Sequence, residues 1–155
     1  MNEIKISEVF MNGIKVGQIA LTPDALCAFE YEPAYLASGT SISPFNLPLK
    51  SGVFVAKRIP FNGGFGVFDD SLPDGWGNLI LDRYLKSKGI DSTKLTLLQR
   101  LALIGSTGRG ALEYRPDYSK STTDEIINFD NLATEAEKVL TTDYNGETLD
   151  TLYKY

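Results

Sequence analysis

One dipeptide, Asn12-Gly13, constrains the fold of this chain more than any other feature of its sequence. It separates two runs of strand-forming residues, 4–11 (IKISEVFM) and 14–21 (IKVGQIAL). Asn and Gly both tolerate the positive φ angles of a type I′ turn, so the arrangement predicts a β-hairpin. The chain therefore begins with antiparallel β structure.

A third strand is predicted directly after this hairpin. The turn residues 22–24 (TPD) precede the alternating run 25–32 (ALCAFEYE), in which Cys27, Phe29 and Tyr31 share one face. The first third of the chain is therefore expected to form a three-stranded antiparallel meander with those three side chains on one face, and Cys27 is expected to be a small core side chain.

The remaining pattern mixes short strands with helices. Pro73 stands near the start of the clearest helical segment, and Asp74 has the side chain of an N-cap residue. The expected elements, in chain order, are a helical turn at 33–37, short strands at 42–43 and 53–55, a glycine-rich turn at 61–66, a helix within 69–89, a helix at 94–103 and a strand at 111–115. The fold class is α+β, with an antiparallel, partly curled β-sheet and several helices packed on one side.

A change in composition marks the end of this domain. Residues 117–128 are polar and lack a periodic apolar pattern, which indicates a linker between a domain at 1–116 and a helical extension at 129–155. Within the extension, a short helix is expected at 147–154. A longer one at 129–140 is expected to carry an apolar stripe, formed by Phe129, Leu132, Ala136, Val139 and Leu140.

Charge and hydropathy exclude several classes of protein. The net charge is −5, and no basic run is present to neutralise phosphates, so direct nucleic-acid binding is not expected. No apolar stretch approaches the roughly 18 residues of a membrane span, and the N-terminus lacks the pattern of a signal peptide. Cys27 is the one cysteine, which excludes an internal disulfide. These features predict a cytoplasmic protein.

The chain contains no histidine. This excludes Ser-His-Asp and Cys-His nucleophile systems, and it excludes metal sites built on histidine. Neither a metal nor any other cofactor is expected. Acid/base chemistry carried by carboxylates alone remains an alternative, with Asp69 and Asp70 as its candidates. A metal or substrate bound in a cleft near these two residues would favour it.

The loop at 105–110 (GSTGRG) invites comparison with phosphate-binding loops. Its glycines follow the order G-x-x-G-x-G, which is neither a Walker A motif nor the dinucleotide-binding pattern, and it leads from a helix into a strand. A tight connection that needs positive φ is the favoured interpretation. Arg109 is expected to be exposed and is a candidate for partner contact.

Three aspartates, Asp69, Asp70 and Asp74, precede the clearest helix. Acidic side chains favour the positive end of a helix, and they cap its free N–H groups, which favours a structural role over catalysis. Trp76 differs from them because Gly75 and Gly77 flank it, and a Trp in the core does not require flanking glycines. Interface anchors are enriched in Trp, so Trp76 is a candidate contact with a partner, beside the three carboxylates.

Several segments resemble HipA-like serine/threonine kinase toxins. Residues 68–77 (FDDSLPDGWG) are similar to the family's F-(D/x)-x-L-L-P-(D/E)-G segment, and 101–112 (LALIGSTGRGAL) to its L-A-x-(I/V)-G-x-x-x-x-G-A-L. The hairpin at 12–13 and the segments 43–49 and 129–137 also resemble the family. The resemblance covers nearly the whole chain and places it in the N-terminal subdomain, before the kinase core.

This resemblance implies a regulatory or docking region that packs on a HipA-like kinase core, in the same or a separate chain. It further implies contacts with a DNA-binding antitoxin or a second toxin copy. The family's ATP-contacting Lys and its catalytic and metal-binding loops match no position here, so the chain alone is expected not to be an enzyme. An alternative is a free-standing subunit of a split system, which binds and restrains a separate kinase. The sequence leaves open whether Tyr155 is a natural end, although the lack of a tag favours that.

Overall fold

The computed structural model describes residues 3–37, 39–108 and 110–119. These residues form five strands, four α-helices and one 3₁₀ turn. The elements are β1 (Ile6–Met11), β2 (Ile14–Leu21), β3 (Cys27–Tyr31), α1 (Pro33–Leu36), β4 (Val53–Val55), α2 (Gly66–Asp69), α3 (Gly75–Ser87), a 3₁₀ turn (Ser92–Lys94), α4 (Leu97–Ile104) and β5 (Leu112–Arg115). The predicted extension at 129–155 and most of the predicted linker lie outside the described residues.

The five strands form one open antiparallel sheet in the order β4-β3-β2-β1-β5. Asn12 and Gly13 have φ angles of 51° and 77°, which confirms the predicted turn between β1 and β2. The last strand in the chain, β5, pairs with the first, β1, and Val9 lies opposite Tyr114 in this pairing. The α+β prediction is confirmed.

One face of the sheet forms the core. Cys27, Phe29 and Tyr31 share this face, as predicted, and all three are buried there; the Phe29 ring lies 5.5 Å from that of Phe68 in α2. From α4, Leu98, Leu101 and Ala102 join the same cluster. Burial of this apolar surface, at roughly 25 cal/mol per Å², is the dominant favourable contribution to folding.

α3 rests on a smaller, separate cluster. Leu81 and Leu85 pack with Leu103 of α4, and Tyr84, Ile90 and Leu95 lie around them. α3 is therefore anchored to the domain through α4 rather than directly through the sheet.

Three local predictions differ from the structure. The expected strand at 42–43 is absent: Ser43 forms only an isolated bridge with Leu47, whose carbonyl accepts hydrogen bonds from the Tyr31 and Ser41 hydroxyls at 2.6 and 2.7 Å. α2 was not expected, because its four residues are too few for a helical period. The helix predicted at 94–103 starts later, because Thr96 caps it together with Gln99.

The first residues of the predicted linker pack against the domain. The Tyr118 amide donates to the Ala102 carbonyl at 2.8 Å, and Ser119 is fully buried. Among the described helices, none combines the length and the apolar character needed to cross a membrane.

Candidate docking site

The start of α3 is fixed by its own sequence. Asp74 has an extended backbone and caps the helix, with its Oδ1 accepting from the Gly77 amide at 3.1 Å. The Asn78 side-chain amide donates to the Pro73 carbonyl at 2.9 Å, which ties the preceding turn to the first helical turn. The prediction that Asp74 is the N-cap of this helix is confirmed. Both hydrogen bonds hold the backbone around position 76.

Trp76 is the second residue of α3, and its side chain lies outside what the structure describes. Its two flanking glycines differ. A Cβ at Gly75 would meet nothing within 4 Å, whereas one at Gly77 would lie 2.7 Å from Pro73. Gly77 is therefore required by packing against Pro73, while Gly75 leaves open space directly before Trp76.

Asp69 and Asp70 do not belong to the first turn of α3. Asp69 ends α2, and Asp70 is the C-cap of that helix, with its amide donating to the Gly66 carbonyl at 2.7 Å. Of the three aspartates, only Asp74 therefore caps α3; Asp69 lies in the single turn of α2, and Asp70 follows it. Asp69, Asp70 and Asp74 are all exposed. Within the described ranges, no group of three or more His, Cys, Asp or Glu residues is arranged to hold a metal ion.

A cleft of about 520 Å³ opens beside Asp69. Asn78, Arg58 and Arg100 also line it, together with the glycine-rich turn that precedes α2. The Arg58 and Arg100 guanidinium groups each donate to a backbone carbonyl, of Asp24 at 2.8 Å and of Ser92 at 3.0 Å.

The cleft presents side-chain donors and acceptors of both charge signs. Besides the Asp69 carboxylate and the two guanidinium groups, the Oδ1 atom of Asn78 is buried there without a hydrogen-bond partner. This combination suits a polar segment of another chain. Sequence reasoning missed Arg58 and Arg100, because they come from distant segments; the only local signal was the glycine-rich turn.

The glycine-rich loop after α4 is a helix-to-strand connection, as expected. Gly105 and Gly110 have φ angles of 53° and 96°, and Arg109 lies outside the described residues. The Asp117 carboxylate occupies the loop. Its Oδ2 accepts from the Ser106 amide at 3.2 Å and from the Ser106 hydroxyl at 2.8 Å. The position where a phosphate loop would hold an anion is therefore filled by the protein's own carboxylate.

Burial also sets the chemistry of Cys27. Desolvation raises the pKa of its thiol to about 12, and the side chain is fully buried on β3. A thiol with so high a pKa is protonated at neutral pH and does not act as a nucleophile. Cys27 is a core residue, as the strand pattern predicted.

Comparison with known proteins gives a match over the segment that forms the sheet. No curated protein matches the chain. The model of the HipA N-terminal domain family matches residues 7–115, which run from β1 to the last residue of β5 and make up more than half of the chain. The chain therefore belongs to the HipA N-terminal domain family.

Proposed function

We propose that this chain is the non-catalytic docking region of a HipA-like serine/threonine kinase of a toxin–antitoxin system, acting in the cytoplasm. It packs on the kinase core and contributes to contacts with the antitoxin or a second toxin copy. The observation that carries this proposal is the family match over residues 7–115. In such a complex the start of α3 supplies the contact, with Trp76 as its anchor.

The sequence supports a role without catalysis. It lacks histidine and the family's nucleotide-binding Lys, catalytic loop and metal-binding loop, so phosphoryl transfer has no candidate residues here. The test is incubation of the pure 155-residue protein with Mg-ATP and a generic protein substrate. Incorporation of phosphate above a buffer control contradicts this part of the proposal.

Trp76 is supported as the anchor by its surroundings. A capped helix start fixes its backbone, Gly75 leaves space beside it, and Asp74 adds an exposed carboxylate that suits a basic, nucleotide-binding cleft. Truncating a buried interface Trp costs about 2–4 kcal/mol of binding, roughly 30-fold to 1000-fold in affinity.

Phe45 provides the control for this test, because it is a large apolar residue that is 98% exposed in the segment between α1 and β4. The affinity of the chain for its cognate kinase core is measured for Trp76→Ala and Phe45→Ala, together with the thermal stability of each variant. Trp76→Ala weakens binding by the stated factor, whereas Phe45→Ala leaves it within about threefold. Equal affinities for the two variants would contradict the role of Trp76 as an interface anchor. A large loss of thermal stability in Trp76→Ala would show that the ring packs in the core of its own domain instead.

A free-standing subunit of a split system is the second candidate, and the sheet topology favours it. β5 closes the domain by pairing with β1, so the sheet and its core are completed within the described residues. Such a domain needs no covalent kinase partner to fold. The neighbouring reading frame distinguishes the two: a kinase without its own N-terminal subdomain supports the split system, and an in-frame kinase core contradicts it.

A further inference from the structure

The outer face of the sheet, opposite the core, carries a row of apolar side chains. The strand registers place Ile6 opposite Ala20, Ala20 opposite Ala28 and Ala28 opposite Val55. These four residues, here called the apolar row, therefore cross four strands side by side. Ile6 is 53% exposed and Val55 is 52% exposed.

The apolar row has the shape of a shallow trough. The two alanines form its floor, and the larger Ile6 and Val55 stand at its ends. A cavity of about 100 Å³ lies along it, lined in part by Val53, which is 62% exposed. With strands about 4.8 Å apart, the row is about 14 Å long.

Polar residues bound the trough on one side. The next row across the same strands contains Glu8, Gln18 and Glu30 and ends at the exposed Val53 on β4, and Lys15 pairs with Glu8 at 2.8 Å. Every helix contact to the sheet that fixes the core lies on the other face, so within residues 3–119 as described no helix packs on the apolar row. A contiguous apolar strip with a polar rim is typical of an interaction surface.

The segment 129–140 of the same chain matches this surface in length and pattern. Twelve residues of helix span about 18 Å, which covers the row of about 14 Å. The predicted helix carries one apolar stripe, and a helix of this length is marginal in water unless the stripe is buried. The nine residues 120–128 reach at most about 30 Å, and the register of β5 on β1 puts Arg115 opposite Glu8, two residues from the Ile6 end of the row.

Charge favours the same pairing. Residues 1–119 contain twelve basic and twelve acidic side chains, so the net charge of −5 lies entirely in 120–155. Lys5 directly precedes Ile6, Lys57 follows Val55 by two residues, and both lysines are exposed. An acidic helix is therefore attracted towards the ends of the row and away from the side that carries Glu8 and Glu30.

From this match we infer that residues 129–140 form a helix that docks across the apolar row of Ile6, Ala20, Ala28 and Val55. The chain then covers its own exposed sheet face, and the helix, rather than a second copy or another protein, is the resident occupant of that face. This inference does not depend on the kinase-docking role of Trp76.

Hydrogen exchange on the full 155-residue chain tests the inference, because the same experiment reports on the core strands and on 129–140. Amides of 129–140 exchange at least about tenfold more slowly than in an unstructured peptide. Ile6→Glu and Val55→Glu each return them to within about threefold of the unstructured rate, while β2 and β3 keep their protection.

Ile14→Glu is the matched control. Ile14 is 60% exposed in the same hairpin but lies outside the apolar row, so its substitution leaves the exchange of 129–140 unchanged. Two variants at opposite ends of the row guard against one that fails to fold. The inference is overturned if 129–140 is unprotected, if its protection survives both row variants, or if its protection depends on protein concentration, which would indicate a second copy.

Discussion

The Tyr114 hydroxyl lies 2.6 Å from the Ser71 hydroxyl, and both side chains are buried. Tyr114 belongs to β5, and Ser71 belongs to the loop between α2 and α3. This single bond therefore joins the closing strand of the sheet to the loop that leads into the candidate docking helix. The position of that helix start depends on a buried polar contact as well as on apolar packing.

We expect Tyr114→Phe to destabilise the domain by about 1–2 kcal/mol, because it removes a hydrogen bond from a buried pair. Ser71→Ala should cost about 1 kcal/mol, since it removes the same bond. In the double variant the two effects should fail to add by at least about 0.5 kcal/mol. Urea unfolding of the four proteins measures this coupling, and strictly additive effects would show that the two hydroxyls do not interact in solution.

Gly105→Ala should be among the most damaging substitutions outside the core. Gly105 has a φ of 53°, and a Cβ there would collide with the Asp117 carboxylate. We expect a loss of about 2–4 kcal/mol, combining the cost of a positive-φ backbone, which side chains with a Cβ rarely adopt, with the displacement of Asp117.

Gly89→Ala separates these two costs. Gly89 also has a positive φ, of 74°, but a Cβ there meets nothing within 4 Å. It should therefore lose only about 1 kcal/mol. The Asp117 carboxylate lies against Gly105 and accepts hydrogen bonds from Ser106 and Ser119, an arrangement here called the Asp117 clamp. Equal losses in thermal unfolding for the two variants would contradict this clamp.

The Asp117 clamp should also depend on pH. Partial burial opposes ionisation, but hydrogen bonds from the hydroxyls and amides of Ser119 and Ser106 lower the pKa of Asp117 below its ordinary value. The carboxylate therefore stabilises the folded state above the ordinary pKa of about 4, and this contribution is lost as the pH falls through the lowered value.

Asp117→Asn should accordingly unfold more easily than the parent at pH 7, and the difference should shrink as the pH falls below about 4. Asp24→Asn removes an exposed carboxylate outside the clamp and controls for the change in charge. Chemical unfolding at a series of pH values makes the comparison. A difference for Asp117→Asn that stays constant down to pH 2 would argue against the clamp.

Local signals were sufficient to predict much of the fold. Asn12-Gly13 set the hairpin, strand alternation identified the buried face of β3, and Asp74 marked the start of α3. Each depends on a few adjacent residues. The prediction of the family also came from local runs, which the match over 7–115 confirms.

Features that depend on distant residues were missed. The segment after α1 folds around the Leu47 carbonyl through hydroxyls of Tyr31 and Ser41, which no local pattern reveals. The cleft beside Asp69 brings together Arg58, from the loop after β4, and Arg100, from α4. Asp117 was predicted to begin a polar linker, yet its carboxylate accepts hydrogen bonds inside the loop after α4.

Cys27 offers a probe of how the core opens. Because the buried thiol has its pKa raised to about 12, a thiol-specific reagent at pH 8 should react at least about 1000-fold more slowly with the folded chain than with the chain in urea. The free energy of unfolding should also fall as the pH rises above about 8.5, since only the unfolded thiol then loses its proton. Labelling at the rate of a free thiol would place Cys27 outside the core.

The central claim is that this domain is a docking partner of a HipA-like kinase core. Calorimetric titration of the full chain into the cognate kinase core tests it most directly, with Trp76→Ala and Phe45→Ala as the paired variants. We expect saturable binding at one chain per kinase, weakened roughly 30-fold to 1000-fold by Trp76→Ala and unaffected by Phe45→Ala. The absence of binding by the unmodified chain would contradict the account.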